Sequence, residues 1–113
     1  MANAVTAFLD SQIEAGRGED TAIVVPTARY TYRAVLSLSN QAGNVFKQLG
    51  VEPEQRISLL LPDGIAFASA FFGALRIGAV TVPLNTRLGA KDYIAILRDS
   101  RTKVLVVDTD IND

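Results

Sequence analysis

Apolar residues recur at every third or fourth position in two stretches of the chain, and this spacing predicts helices that bury one face. The first stretch lies near the start, where Asn3 can serve as the N-cap. Its predicted stripe is Val5, Phe8, Leu9 and Ile13. The second stretch runs from Tyr32 to Leu49, with Thr31 at the N-cap position and Gly50 at its end. Its predicted stripe is Val35, Leu38, Ala42, Val45, Phe46 and Leu49.

Between these two helices the pattern changes to short runs rich in β-branched and aromatic residues, "TAIVV" and "RYTY". Pro26, Thr27 and Ala28 separate the runs, which predicts a β-hairpin.

The second half alternates strand, helix, strand, helix, strand. The strands are "RISLLLPD", whose continuous apolar character suits a strand covered on both faces, then "AVTVPL" and "KVLVVD". The first intervening helix is expected to have Asp63 as its N-cap and to end at Gly78. Ala66, Ala70, Gly73 and Ile77 share one of its sides, where small side chains would let its backbone approach the sheet. The loop "NTRLGAKD" leads to the second helix, "YIAILRDS", with Gly89 as a weak N-cap.

This order predicts an α/β fold: a parallel βαβαβ sheet of the three-layer type with right-handed crossovers, preceded by a helix and a hairpin. We expect residues 1–113 to form a single partial domain, because no helix follows the last strand to cover it. The family resemblance described below implies that this is the N-terminal portion of a larger domain.

Composition narrows the chemistry. Eleven basic and twelve acidic side chains are interspersed and leave a net charge of −1, so no nucleic-acid face is expected. The chain has no cysteine and no histidine, which excludes a disulfide framework, a thiol nucleophile, a Ser–His triad and any metal site with Cys or His ligands. We expect neither a catalytic residue nor a metal ligand within the chain.

Residues 65–84, "IAFASAFFGALRIGAVTVPL", have the length of a membrane span. Arg76, Ser69, two glycines and Pro83 interrupt them, and a buried helix followed by a buried strand accounts for them better. With no signal peptide visible in the first twenty residues, we expect a cytoplasmic protein.

Ligands of open parallel sheets bind beyond the carboxyl ends of the strands. Three polar positions are predicted there: Asp63, the turn Asn85-Thr86-Arg87, and Asp108. The Arg87 guanidinium suits phosphate or carboxylate oxygens, although it can equally be a solvated loop residue or pair with Asp63. "VLVVD" is similar to the phosphoacceptor strand of a bacterial receiver domain, but the order of elements differs, and Asp108 is also readily a turn residue.

"YTYRAVLSLSNQAGNVFKQLGV" resembles the first core motif of the adenylate-forming enzymes, and "GALRIGAVTVPLN" resembles their second. "GRGEDTAIV" and "LNTRLGAKDYIAILRDSRTKVLVVD" extend the resemblance over nearly the whole chain, and the acyl- and aryl-CoA ligases, benzoate-CoA ligase in particular, are most similar. Ala34 and Gly89-Ala90 depart from the family's usual residues, which affects helix capping.

The resemblance implies an ATP-dependent acid–thiol ligase acting through an acyl-adenylate, with ATP, Mg²⁺, CoA and a small carboxylic acid as its cofactors and partners. It implies that the phosphate loop, the acyl pocket and the catalytic lysine lie downstream, so this chain alone is expected to be inactive and to bind no cofactor tightly. It also implies that Arg87, in "NTRL", contacts a phosphate of CoA. The alternatives are a standalone α/β binding module and a receiver-like signalling domain. The uncovered last strand predicts self-association of the chain.

Overall fold

The computed structural model describes residues 6–25 and 28–108, with the side chains of 8–24 and 28–108. Asn3, Val5 and the hairpin residues Pro26 and Thr27 lie outside the described residues. A π-helical segment, Thr6–Asp10, leads into the helical elements α1 (Ser11–Glu14), α2 (Tyr32–Gln48), α3 (Ile65–Arg76) and α4 (Ala90–Ser100). The strands are β1 (Thr21–Val25), β2 (Ala28–Thr31), β3 (Arg56–Leu60), β4 (Val80–Pro83) and β5 (Thr102–Val107).

The five strands form two sheets. β1 and β2 pair antiparallel from Thr21↔Thr31 to Val25↔Ala28, which confirms the predicted hairpin. β4, β3 and β5 form a parallel sheet with β3 in the centre, which confirms the parallel βαβαβ arrangement. Every residue of β3 from Ile57 to Leu60 is buried. The continuous apolar run therefore does mark a strand covered on both faces.

Helix α2 begins and ends where the sequence predicts. The Thr31 hydroxyl accepts a hydrogen bond from the Ala34 amide at 3.1 Å, and Gly50 follows the helix at φ 86°, a left-handed conformation that glycine adopts without steric cost. The buried face differs from the predicted stripe. It consists of Val35, Ser39, Gly43 and Phe46, whereas the predicted members Val45 and Leu49 are more than half exposed.

A close approach between α2 and α3 explains why small residues replace large ones on that face. A Cβ atom added at Gly73 would lie 2.7 Å from the Ser39 carbonyl oxygen, 2.8 Å from the Ala42 Cβ and 2.9 Å from the Gly43 amide nitrogen. The expectation that the small side of α3 faces the sheet is therefore wrong for Gly73, which packs against α2. Ala70 and Ala74 do face the sheet core, while Ala66 is exposed.

Two apolar clusters hold these layers together. The larger lies between the sheet and the two central helices and is built around Ile57, Leu59 and Ala74, each with no exposed surface. The smaller joins Leu9 and Val35 and is bordered by residues of the hairpin and of α3. Phe8, predicted to be on the stripe of the first helix, is instead about half exposed and stacks on Phe72.

Arg76, the cation inside the long apolar stretch, has a partner far away in the sequence. Its two terminal nitrogens donate to the two carboxylate oxygens of Asp10 at 3.1 and 2.9 Å, and both side chains are about three-quarters buried. The Arg76 Nε is buried without a hydrogen-bond partner among the described residues. Within the described parts of the chain, no helix combines the length and the hydrophobicity needed to cross a membrane.

The second face of the sheet is covered more thinly, by α4. This helix has no buried residue, and its N-cap is Gly89, as predicted, which offers no capping side chain. Hydroxyl groups at the end of α4 tie it to the sheet: Ser100 bonds to Thr102 at 2.7 Å, and Thr102 bonds to the buried Ser58.

Candidate functional site

The three parallel strands end at one edge of the sheet, as the register shows. Leu59 of β3 pairs with Pro83 of β4, and Leu60 pairs with Val107 of β5. The backbone continues this alignment past the strands, because the Leu84 amide donates to the Leu59 carbonyl at 2.9 Å. The segments that follow the three strands therefore emerge side by side.

All three polar positions predicted from the sequence follow these strand ends. Asp63 follows the central strand β3, the turn at Asn85–Arg87 follows β4, and Asp108 follows β5. The arrangement places one cation and two carboxylates at the carboxyl edge of the sheet, where open parallel sheets bind their ligands.

The turn that carries Arg87 is fixed by hydrogen bonds to its backbone. The Asn85 side-chain oxygen accepts from the Arg87 amide at 2.9 Å, which closes an Asx turn. The Tyr93 hydroxyl donates to the Asn85 carbonyl at 2.7 Å and accepts from the Leu88 amide at 3.1 Å. Residues on both sides of Arg87 are thus held by one tyrosine at the start of α4.

The Arg87 side chain is exposed. Within the described residues, ion pairs join Arg33 to Glu19 and Arg76 to Asp10, and none joins Arg87 to an acid. The suggested pairing of Arg87 with Asp63 is therefore not found, and its guanidinium faces solvent from a fixed turn. The planar guanidinium in this setting can donate hydrogen bonds to two oxygens of one phosphate or carboxylate.

Asp63 does not cap α3, contrary to the sequence-based expectation. The N-cap residue is Gly64, whose carbonyl accepts the first helical hydrogen bond, from the Ala68 amide at 3.0 Å. Gly64 has φ 154° and ψ −165°, a conformation that is essentially restricted to glycine, so the chain turns into the helix one residue later than expected. Asp63 is left exposed in the loop.

Asp108 follows β5 directly, and its amide donates to the Leu60 carbonyl at 3.4 Å. Its side chain is partly buried. The residues after it are outside the described part, so its role as a turn residue stays a prediction.

Two expected ligands can be tested against these residues. Within residues 6–25 and 28–108, no group of three or more His, Cys, Asp or Glu residues could hold a metal ion, so no Mg²⁺ site is assigned to these residues. At the sheet edge, Asp63 and Asp108 would repel a polyphosphate, which leaves one favourable contact, at Arg87. The residues at this edge are compatible with one phosphate contact, at Arg87, and do not form a complete binding site for a nucleoside triphosphate.

Tyr93 is the residue of this site that sequence reasoning missed. The apolar periodicity includes Tyr93 only as a partly apolar residue of α4. A tyrosine eight residues after an asparagine does not by itself predict a hydrogen bond between them. A polar-tipped aromatic residue in the first turn of a helix that follows a polar loop is the only signal available.

The fold and the edge define a class: a parallel α/β unit with an exposed arginine in a hydrogen-bonded turn beyond its strand ends. A family model described as "AMP-binding enzyme" matches residues 9–113, and the chain belongs to this family of adenylate-forming enzymes. The structure matches the N-terminal part of these large enzymes. The resemblance seen in the sequence motifs is confirmed.

Three relatives illustrate the match. The 4-hydroxybenzoate-CoA/benzoate-CoA ligase of Rhodopseudomonas palustris is 38% identical over 108 residues, which are 96% of this chain and 20% of the relative. The crystal structure of the anthranilate CoA ligase AuaEII in complex with anthranoyl-AMP superposes with a TM-score of 0.91 at 37% identity, covering 96% of this chain and 21% of that one. A benzoate CoA ligase from Burkholderia xenovorans LB400 gives a TM-score of 0.88 at 31% identity, with 98% and 22% covered. The chain thus spans about a fifth of the length of these relatives.

Proposed function

We propose that this chain is the N-terminal segment of the large domain of an ATP-dependent acyl- or aryl-CoA ligase, a cytoplasmic enzyme. In the reaction typical of such a ligase, a carboxylate is joined to AMP with release of pyrophosphate, and the acyl group then passes to the CoA thiol with release of AMP. The observation that carries the proposal is the match of the family model over residues 9–113. A CoA ligase that is 38% identical over 96% of the chain supports it.

The relatives favour an aromatic acid as the substrate. The ligases named for benzoate and hydroxybenzoates match this chain at 32–38% identity over 96% of its length. A long-chain fatty-acid-CoA ligase of Mycobacterium tuberculosis is 41% identical, but over only 69% of the chain. An aryl-CoA ligase is therefore the first candidate and a fatty-acyl-CoA ligase the second.

Within such an enzyme, Arg87 is proposed to contact a phosphate of CoA. The support is threefold: the guanidinium is exposed, it has no acidic partner among the described residues, and its turn is anchored on both sides by Tyr93. The chemical role is limited to binding and orientation. An arginine contact to a phosphate neutralises part of its charge and fixes the direction from which the thiol arrives.

The 113 residues alone are proposed to be inactive. One exposed arginine at the sheet edge supplies neither a general base nor the several donors that phosphoryl chemistry needs.

The overall activity is tested with protein expressed from the complete reading frame in which this sequence lies, mixed with ATP, CoA and benzoate, 4-hydroxybenzoate or a fatty acid. We expect pyrophosphate release that depends on the carboxylic acid, and an acyl-CoA product that also requires CoA. The 113-residue chain should release none under the same conditions. Turnover by this chain alone, or no acyl-CoA from the complete protein with any acid, would contradict the proposal.

The role of Arg87 is tested separately with Arg87→Ala in the complete protein. Loss of one charge-assisted contact of about 1–3 kcal/mol should raise the KM for CoA by roughly 5- to 150-fold. Pyrophosphate exchange measured without CoA should stay close to the wild-type rate. Arg29→Ala, which removes an exposed cation from the hairpin, is the matched control. An unchanged dependence on CoA would show that Arg87 does not serve this ligand, whatever the overall activity.

A further inference from the structure

The segment that joins β4 to α4 is held at both of its ends. Before the turn, Leu84 is buried and its amide donates to a carbonyl of β3 at 2.9 Å. After the turn, the Leu88 amide donates to the Tyr93 hydroxyl at 3.1 Å. Arg87 lies between these two points, and its own amide donates to the Asn85 side chain at 2.9 Å. The path of the backbone at Arg87 is therefore set by contacts that its neighbours make.

The Tyr93 hydroxyl bridges the two sides of the turn. It donates its single hydrogen to the Asn85 carbonyl at 2.7 Å and accepts the hydrogen of the Leu88 amide. One oxygen atom thus contacts two backbone groups that lie three positions apart, on either side of Arg87. Because both contacts depend on the same oxygen, its removal would release both sides of the turn together.

Tyr93 is in turn positioned by α4, which is tied to the sheet at its far end. The Ser100 carbonyl accepts a hydrogen bond from the Arg56 guanidinium at 3.1 Å. The Ser100 hydroxyl bonds to Thr102 at 2.7 Å, and Thr102 bonds to the buried Ser58 of β3. Since α4 has no buried residue, these polar contacts at its two ends help to set where the helix lies. They relate the turn at one end of α4 to the central strand at the other.

We propose that Tyr93 is a positioning residue for CoA: its hydroxyl holds the backbone on both sides of Arg87, so that the guanidinium is aimed at a CoA phosphate before the ligand arrives. The inference rests on the proposed role of Arg87 and goes beyond it, because Tyr93 contacts the turn and acts through Arg87. An arginine loses rotational freedom when it binds, and a backbone that is already fixed lowers the total cost of ordering.

A positioning role and a merely structural role predict different kinetics. A tyrosine that only stabilises the fold would affect both half-reactions, and its loss would matter whether or not Arg87 is present. A tyrosine that positions Arg87 affects the step that uses CoA, and its effect disappears when the guanidinium is removed.

The first measurement uses protein expressed from the complete reading frame in which this sequence lies. Tyr93→Phe should raise the KM for CoA about 2- to 10-fold, and by less than Arg87→Ala does, because the cation remains but its turn is loosened. Asn85→Ala, which removes the acceptor of the Arg87 amide, should act in the same direction. Pyrophosphate exchange without CoA should stay near the wild-type rate in both variants. Tyr30→Phe, at a partly buried tyrosine of the hairpin, is the matched control and should leave the KM for CoA unchanged.

The second measurement adds Tyr93→Phe to Arg87→Ala, and we expect no further rise in the KM for CoA. A further rise equal to that of Tyr93→Phe alone, or a matching loss of pyrophosphate exchange, would assign Tyr93 a structural role and overturn the proposal. If Arg87→Ala raises the KM and Tyr93→Phe does not, the positioning is wrong while the role of Arg87 stands. If Arg87→Ala has no effect on the KM, both proposals fall.

Discussion

The two faces of the parallel sheet are built differently. On one face, α2 and α3 pack against β3 with fully buried Ile57, Leu59 and Ala74, and the two helices approach so closely that only glycine fits at position 73. On the other face, α4 contributes no buried residue and is held by hydroxyl contacts at its end and by Tyr93 at its start. The first face carries the larger cluster of buried residues, and the turn with Arg87 leads into α4.

This difference suggests that the α2–α3 face determines the stability of the fold, whereas α4 determines the position of the Arg87 turn. Free energy of folding scales with apolar area removed from water, so changes on the α2–α3 face should be costly. Changes in α4 itself, which has no buried residue, should cost little stability and act mainly on the position of the Arg87 turn.

The largest effect is expected for Leu59→Ala. Leu59 has no exposed surface, and its truncation leaves a cavity in the main cluster that should cost about 2–5 kcal/mol of unfolding free energy. Leu105→Ala, on the other face and 40% exposed, should cost less than about 1 kcal/mol. Urea denaturation followed by circular dichroism, at a concentration below any self-association, measures both. Equal losses would show that the two faces contribute alike.

A somewhat smaller loss is expected for Gly73→Ala. The added methyl group meets two backbone atoms of α2 at under 3.0 Å, and overpacking of this kind costs about 1–3 kcal/mol, partly offset by the better helix propensity of alanine. Gly89→Ala is the control on the α4 side, since no atom lies within 4 Å of the new Cβ. If Gly73→Ala is as stable as the wild type, the helices must be free to separate, and the account of the close contact is wrong.

The smallest change in stability is expected for Tyr93→Phe, which keeps the ring and removes both hydrogen bonds to the turn. We expect a loss of about 0.5–1.5 kcal/mol or less, because the hydroxyl is near solvent. The specific signature is local: the Leu88 amide, which donates to that hydroxyl, should exchange its hydrogen faster. Tyr30→Phe in the hairpin should not alter Leu88. Unchanged exchange at Leu88 in Tyr93→Phe would show that the turn holds itself.

Much of the fold is predictable because its signals are local. Helix periodicity located α2, Thr31 and Gly50 marked its two ends, and the apolar run of β3 indicated a parallel strand covered on both sides. These features depend on residues within a few positions of one another.

Other features depend on contacts between distant residues and could not be predicted. A stripe of small residues on α3 indicates a close approach but does not identify the partner, so the sheet was expected where α2 is found. The cap of α3 depends on the backbone angles of Gly64, which shift the helix start past Asp63. For the candidate site, the predicted strand order already brings the three polar positions to one edge of the sheet. The two hydrogen bonds of Tyr93 could not be predicted, because they depend on how α4 packs against the turn.

The ion pair between Asp10 and Arg76 closes a loop across 66 positions of the chain. During synthesis this ion pair can form only after α3 has emerged, whereas the contact of Leu9 with Val35 of α2 can form earlier. A truncation that removed Asp10 would leave the Arg76 guanidinium without its carboxylate partner. The Nε of Arg76 is already buried without a hydrogen-bond partner among the described residues. Asp10 is thus the partner of the one charged residue of α3, and shortened forms of the protein need to retain it.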